Sequence, residues 1–531
     1  MQKKTYWFLL FLILIIATFF RVWHISQIPP SLYPDEATNA NNALEAVKTG
    51  DYKIFYVDNN GREGLFINLM ALSFKYFGVG IWQSKLPSMA IGILTVLAVA
   101  FLCFWLFKGK KAYLVSLLSS FLVAISVWHI NFSRIAFRAI AVPLLITASL
   151  AFIYWGLRKK NAWGFALAGI LFGLGFHTYI AFRVAPVILA VPLVFDIFKF
   201  SQKKYKGWWK TFFEERLWRW VVFTIFAIVT VFPIAKYFYQ HPEYFMGRST
   251  QVSVLTSASP LKAAAWSLIK TLGEFNVYGD SNWRHNLSGQ PLLSYPVGLL
   301  FLLGLGWCLV SIFSPKLYRQ GKLKRLEYSW LLLVWWGIML APAFLTNEGV
   351  PHALRSIGSL VPSCILAALG FWLLLSWVKK FQSKKTQTAL FTVLILVLIS
   401  FLPVSFSQYF IIWGQNKEVA GAFNQSYRFL AETIKNRPQG ERKIIIANEN
   451  GVPVPYPDGV SVAAQSTMFL SYPAPNQEYL KRDDWQNLRL NKNQPTSIFL
   501  LTDDNQVWQK LQKKFGGDLK REGEIKYLTI K

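Results

Sequence analysis

Two groups of ionisable side chains stand out from an otherwise apolar chain. The first is acidic and rich in amides: Pro34-Asp35-Glu36-Ala37, then Asn39, Asn41, Asn42 and Glu45, then Thr49-Gly50-Asp51-Tyr52, and later Gly61-Arg62-Glu63-Gly64. The second is cationic and scattered: Arg134 and Arg138, Arg183, the pair Arg284-His285 within Gly279 to Asn286, and His352 with Arg355. Carboxylates accept protons, and guanidinium groups bind oxyanions through charge-assisted hydrogen bonds. Either type is expensive beside a membrane and is a functional candidate for that reason. Each also has a plainer explanation. Asp35 and Glu36 follow a proline that can open a helix, whose dipole favours carboxylates in the first turn. Arg62-Glu63 also reads as a solvated charge pair, and the arginines can snorkel to lipid headgroups.

The elements that must carry these residues are mostly apolar. Of 531 residues, 53% are hydrophobic and 16% charged, too apolar for a soluble domain of this length. A formal charge of +29 would suggest a nucleic-acid partner if the cations formed one stripe. They instead fall in short clusters between long uncharged runs, so no nucleic acid is expected. Cys103, Cys308 and Cys364 lie far apart inside apolar runs, which excludes a disulfide framework or a cysteine zinc site. Met1 to Trp23 lacks a small-residue cleavage site and reads as a retained first span.

About 20 apolar residues are needed to cross the hydrocarbon. Eleven segments meet that test, near 5–24, 86–107, 112–131, 139–157, 162–181, 184–199, 219–237, 292–313, 329–346, 356–378 and 388–412. Leu65 to Val79 is short, contains Lys75 and reads as a re-entrant or interfacial helix. With the N-terminus inside, the clusters Lys3-Lys4, 108–111, 158–160, 199–219, 316–325 and 379–385 all fall inside and hold 24 of the 56 Lys and Arg. The other side receives the loops 25–85 and 238–291 and the C-terminus. His129 and His177 read as hydrogen-bonding residues of the membrane interface. From Lys417 the pattern changes: strands at Lys443 to Ile446, Ser497 to Leu501 and Glu524 to Ile530 and a helix at Gln506 to Phe515 describe a small α/β domain without a phosphate loop, metal-ligand spacing or nucleophile elbow. The expected architecture is therefore a polytopic α-helical membrane domain, 1–412, followed by an extracytoplasmic α/β domain, 413–531.

A first span, a long loop opening on Asp35-Glu36, a helix ending in Thr49-Gly50-Asp51, a short apolar helix and a Leu86-Pro87 entry to the second span together resemble the GT-C glycosyltransferases. The nearest branch is the dolichyl-phosphate-mannose protein mannosyltransferase and aminoarabinose transferase group. The resemblance covers 1–412 in topology and chiefly 31–90 in motif, with weaker echoes at 126–143 and 347–362. It implies that Asp35 is the catalytic base with Glu36 beside it, and that the substrate is a monosaccharide on a polyprenyl phosphate.

Such a transfer needs a base for the acceptor hydroxyl and cations for the leaving phosphate. Arg355, His352, Arg138 and Arg284 are the expected phosphate ligands, and Glu63, Arg62 and His285 the expected sugar or acceptor contacts. His352 and Arg355, three residues apart, would share one helical face if the helix has begun there. The acidic loop and the cations are expected to meet at one outward-opening cavity. Three departures from the family pattern are visible. Phe137-Arg138-Ala139-Ile140 lacks a carboxylate usual at the fourth span, Arg62-Glu63-Gly64-Leu65 replaces consecutive prolines, and no tryptophan-rich acceptor motif of the oligosaccharyltransferases is present.

The expected activity is inverting transfer to a hydroxyl of a lipid, glycan or protein at the outer face of the plasma membrane. No cofactor is required by this reading, no metal ligand is assigned, and a divalent metal remains open. The competing class is a transporter or flippase of lipid-linked sugars, which would place charges near the midplane in two related halves. The spans are nearly uncharged and no repeat is visible.

Overall fold

Long uncharged runs of Leu, Ile, Val and Phe leave a backbone no partner in lipid except itself, so they become helices. The computed structural model describes residues 2–201, 208–245, 253–254, 259–314, 323–346, 349–491 and 494–530. Among these residues, nine helices are long and apolar enough to cross a membrane: Lys3–Val22, Ile81–Leu106, Arg138–Lys159, Ile180–Ser201, Trp209–Gln240, Tyr295–Ile312, Leu323–Phe344, Ile357–Val378 and Lys384–Trp413. The chain is a multi-pass membrane protein.

Two of the eleven expected spans differ. The segment expected at 112–131 is a pair, Gly109–Ile125 and Val127–Arg134, bent by 57°. Ser126 makes the break, because its side chain accepts the His129 N–H and so caps a new helix instead of continuing the old one. The segment expected at 162–181 is helical only over Ala162–Gly175, 14 residues. At 1.5 Å per residue that is about 21 Å, short of a full crossing. Parts of two basic clusters expected inside, 202–207 and 315–322, lie outside the described residues. Elsewhere in those clusters Glu327 is wholly buried and is neutralised by Lys199 at 2.5 Å and Lys324 at 3.4 Å.

The chain divides into two compact units. The first comprises Met1–Trp23 and Ser88–Trp413, and the second His24–Pro87 with Gly414–Lys531. The second unit joins the segment after the first span to the C-terminal part of the chain. It contains helix α1 (Pro34–Thr49), the short strands β1 (Phe55–Tyr56) and β2 (Arg62–Glu63), and helix α2 (Leu65–Phe77), then strands β3 (Arg442–Ala447), β4 (Gln477–Lys481), β5 (Thr496–Leu500), β6 (Asp518–Glu522) and β7 (Ile525–Ile530).

The five C-terminal strands form one sheet in the order β4-β3-β5-β7-β6, with β3 parallel to both neighbours and β7 antiparallel to both of its own. Helix Gln425–Asn436 lays Tyr427, Leu430 and Ile434 on one face against Ile445, Phe499 and Tyr527. Helix Asn505–Phe515 lays Trp508 and Leu511 on the other, against Ile444, Ile446, Ile498 and Leu500. Because β3 is central and covered on both faces, it reads as an unbroken apolar run instead of alternating. Each fully buried Ile or Leu there contributes roughly 1.5–3 kcal/mol.

The acidic segment is fastened to this domain through polar contacts. Ser466 Oγ donates to the Leu32 carbonyl at 2.8 Å, Asn41 Nδ2 to Gln465 Oε1 at 2.8 Å and Arg428 Nη1 to the Pro30 carbonyl at 2.9 Å. Helix α2 buries Phe66, Ile67, Met70 and Phe74 and stacks Phe74 on Phe469, while Leu69, Leu72, Tyr76 and Phe77 are exposed. That two-sided character is expected of a helix lying at an interface.

Candidate functional site

In the second unit, Pro34 opens α1 as expected, and Asp35 and Glu36 occupy its first turn. Their surroundings go beyond a helix terminus. The Asp35 carboxylate is half-buried and accepts a 2.5 Å hydrogen bond from Asn59 Nδ2, and Glu36 is wholly buried. Asn59 reaches it from the turn Asp58-Asn59-Asn60-Gly61 between β1 and β2. Here three successive residues take positive φ, 50°, 65° and 79°, which asparagine and glycine tolerate better than other residues.

Arg62 follows this turn and is buried, not solvated. Its guanidinium donates to Asn39 Oδ1 at 2.5 Å and Asn42 Oδ1 at 2.8 Å, and its Nε donates to the Asp58 carbonyl. Asn42 Nδ2 and the Tyr456 N–H in turn donate to the two Asp58 carboxylate oxygens, each at 2.9 Å. Glu63 is buried beside Arg62 in β2. Asn39 and Asn42 of α1 thus face Arg62, and a polar network ties α1 to the turn whose Asn59 holds Asp35. Asp58 and Asn59 escaped the sequence reading, although an Asp-Asn-Asn-Gly run does signal a tight turn. Lys85 escaped it too: it is buried, with Nζ 3.3 and 3.4 Å from the carbonyls of Ile25 and Pro29.

In the first unit, the segments 126–138, 274–290 and 350–356 converge. Asp280 is the centre. Its Oδ2 lies 3.1 Å from His285 Nδ1 and 3.7 Å from His352 Nδ1 and accepts the Ala353 N–H at 3.0 Å, while Oδ1 accepts the Asn282 N–H at 2.8 Å. The two imidazoles stack with centroids 4.9 Å apart. His285 also packs on Phe132 and Phe137, Asn131 Nδ2 donates to the Arg284 carbonyl at 2.8 Å, and Trp128 Nε1 donates to the Ala353 carbonyl at 3.0 Å. Arg138 is buried over the Tyr179 ring, and Arg284 Nε bonds to Asn282 Oδ1. Glu274 is wholly buried near Ser356 and the His352 backbone; burial, assisted by the Asp280 charge, pushes its pKa up to about 8. Neither Asp280 nor Glu274 was singled out from sequence.

One expectation is corrected. His352 and Arg355 do not share a helical face: they lie in a turn before the helix, which begins at Ile357. His352 turns toward Asp280, while Arg355 Nη1 donates to Thr346 Oγ1 at 2.5 Å. Asp280 fastens this turn by accepting the Ala353 N–H at 3.0 Å. His129 is wholly buried in the protein, with Nδ1 2.7 Å from Arg21 Nη2, so the ring accepts and is neutral. Arg134 is likewise buried, with its guanidinium on the Phe20 and Trp23 carbonyls and over the Tyr409 and Phe410 rings. His177 bonds the Thr230 carbonyl, and Arg183 the Phe245 carbonyl.

No family model and no curated protein sequence matches the chain. Solved structures do. ArnT from Cupriavidus metallidurans bound to undecaprenyl phosphate superposes with a TM-score of 0.52 at 12% identity, over 99% of this chain and 98% of that one. The same protein in the apo state gives 0.51 at 13% identity over the same shares. The Archaeoglobus fulgidus oligosaccharyltransferase in the apo form gives 0.46 at 13% identity, over 90% of this chain and 61% of that one. The chain has the fold that the ArnT structures display.

Proposed function

We propose that the protein is an inverting glycosyltransferase that moves a monosaccharide from a polyprenyl phosphate to an acceptor hydroxyl. The observation that carries this reading is a half-buried carboxylate, Asp35, held by Asn59 at the head of a helix in a chain with the ArnT fold over nearly its whole length. That ArnT structure is bound to undecaprenyl phosphate, which supports a polyprenyl-phosphate donor.

In this mechanism Asp35 takes the proton from the acceptor hydroxyl as its oxygen attacks the anomeric carbon. The bond from that carbon to the phosphate oxygen breaks, and the polyprenyl phosphate leaves as an anion. Asn59 orients the base, and the buried Glu36 is its neighbour in the chain. Arg355, Arg138 and Arg284, with His352, are the groups that would stabilise the leaving phosphate, while Glu63, Arg62 and His285 serve the sugar or acceptor. The acceptor is a lipid, glycan or protein. The clustering of Lys and Arg supports a plasma-membrane enzyme with a cytoplasmic N-terminus, an extracytoplasmic C-terminal domain and chemistry at the outer face.

Asp35→Asn tests the reading on purified protein in nanodiscs with polyprenyl-phosphate monosaccharides as donors. The variant should still bind donor but transfer about 100- to 10,000-fold more slowly, the usual cost of a lost base. Near wild-type transfer by the variant would end the assignment of Asp35. Translocation of intact lipid-linked sugar by the wild type, without transfer to any acceptor, would favour a flippase instead.

A further inference from the structure

Among the described residues, Asp280, His285 and His352 are the one group of three or more metal-ligating side chains whose donor atoms lie within 4.8 Å of one another. We propose that these three hold a divalent ion of the zinc class, with His285 and His352, which the proposed mechanism also uses at the sugar and the leaving phosphate, among its ligands.

The donor set argues for the ion. Two imidazole nitrogens and one carboxylate oxygen suit Zn²⁺ and its neighbours, whereas Mg²⁺ and Ca²⁺ take oxygen ligands. Distances agree. Ligands at 2.0–2.2 Å in a tetrahedron lie about 3.4 Å from one another, and Asp280 Oδ2 is 3.1 Å from His285 Nδ1 and 3.7 Å from His352 Nδ1. All three donor atoms lie within 4.8 Å of one another.

The supporting contacts are also in place. The Ala353 N–H fixes Asp280 Oδ2, the Asn282 N–H fixes Oδ1, and Phe132 and Phe137 hold the His285 ring. A metal site depends on such outer partners to aim its ligands. Stacked imidazoles at 4.9 Å repel when both are protonated, whereas neutral rings offer the lone pairs an ion needs. Three protein ligands leave a fourth position for water or another oxygen ligand, as in zinc sites that are not purely structural. The ion would join the loop 279–290 to the turn 350–356, two segments far apart in sequence.

The test uses the full-length protein in detergent, stripped with EDTA and titrated with Co²⁺ alone. One equivalent should bind with visible d–d absorption, be displaced by Zn²⁺ and not by Mg²⁺, and raise the unfolding temperature. His285→Gln and His352→Gln should each weaken binding at least 10-fold while matching the wild type's unfolding temperature in EDTA. No absorption by the wild type, or undiminished binding by the double variant, overturns the proposal. Should the variants fail to fold, electron spin resonance of Cu²⁺ on the wild type decides: couplings from two imidazole nitrogens sustain the site, and one or none removes it.

Discussion

Asn59 Nδ2 stands 2.5 Å from Asp35 Oδ1, across 24 residues of sequence. The hydrogen bond aims the carboxylate. Asn59→Gly removes the donor but accepts the positive φ of 50° without strain. A hydrogen bond to a charged group is worth about 1.5–3 kcal/mol. Turnover of the glycine variant should therefore fall roughly 10- to 100-fold with donor affinity unchanged. Wild-type turnover would show that Asn59 does not act on the base.

Arg62 bridges Asn39 and Asn42, and its planar fork satisfies both amide oxygens at once. A lysine cannot reproduce that geometry, so Arg62→Lys is not conservative here. The variant should speed hydrogen exchange of residues 55–63 and lower turnover, while leaving the Gln425–Asn436 helix protected. Exchange identical to wild type would mean that Arg62 does not hold the loop.

Arg355 differs from Asp35 in the kind of loss expected. Arg355→Ala should weaken donor binding as well as transfer, because a charge-assisted phosphate contact acts in the ground state and strengthens as charge develops. Calorimetric titration with polyprenyl phosphate measures it. Unchanged affinity would return Arg355 to a structural part, holding Thr346.

Glu274 supplies a pH signature of stability. Its folded pKa, pushed up to about 8 by burial, exceeds the ordinary carboxylate value of 4.5. Between those values the folded state binds one more proton than the unfolded state, so stability falls as pH rises and levels off above the folded value. In metal-free protein the loss should be about 1.4 kcal/mol per pH unit across that window. Glu274→Gln does not titrate and should lack it. Unfolding temperatures measured from pH 5 to 9 should therefore converge at acidic pH and favour the glutamine variant at alkaline pH; parallel curves would refute the buried-acid account.

Local rules were enough for much of the molecule. Apolar length marked the spans, because a lipid-exposed backbone has no alternative to helix. Pro34 marked the start of α1, and the run Ile444-Ile445-Ile446 marked a buried strand. These are properties of neighbours in sequence, and twenty apolar residues or one proline suffice to impose them. The family resemblance likewise rested on local motifs around Asp35, and the fold agrees with it.

Tertiary structure decided whatever depends on partners distant in the chain. Ser126 ends one helix and caps the next, a choice that a hydropathy window averages away. Arg62 looked solvated because its amide partners are 20 and 23 residues earlier, on one face of α1. His352 was expected beside Arg355 by helical spacing, yet Asp280, 72 residues upstream, draws it into a turn instead. A buried polar group must find a partner wherever the chain brings one, and sequence spacing does not record where that is.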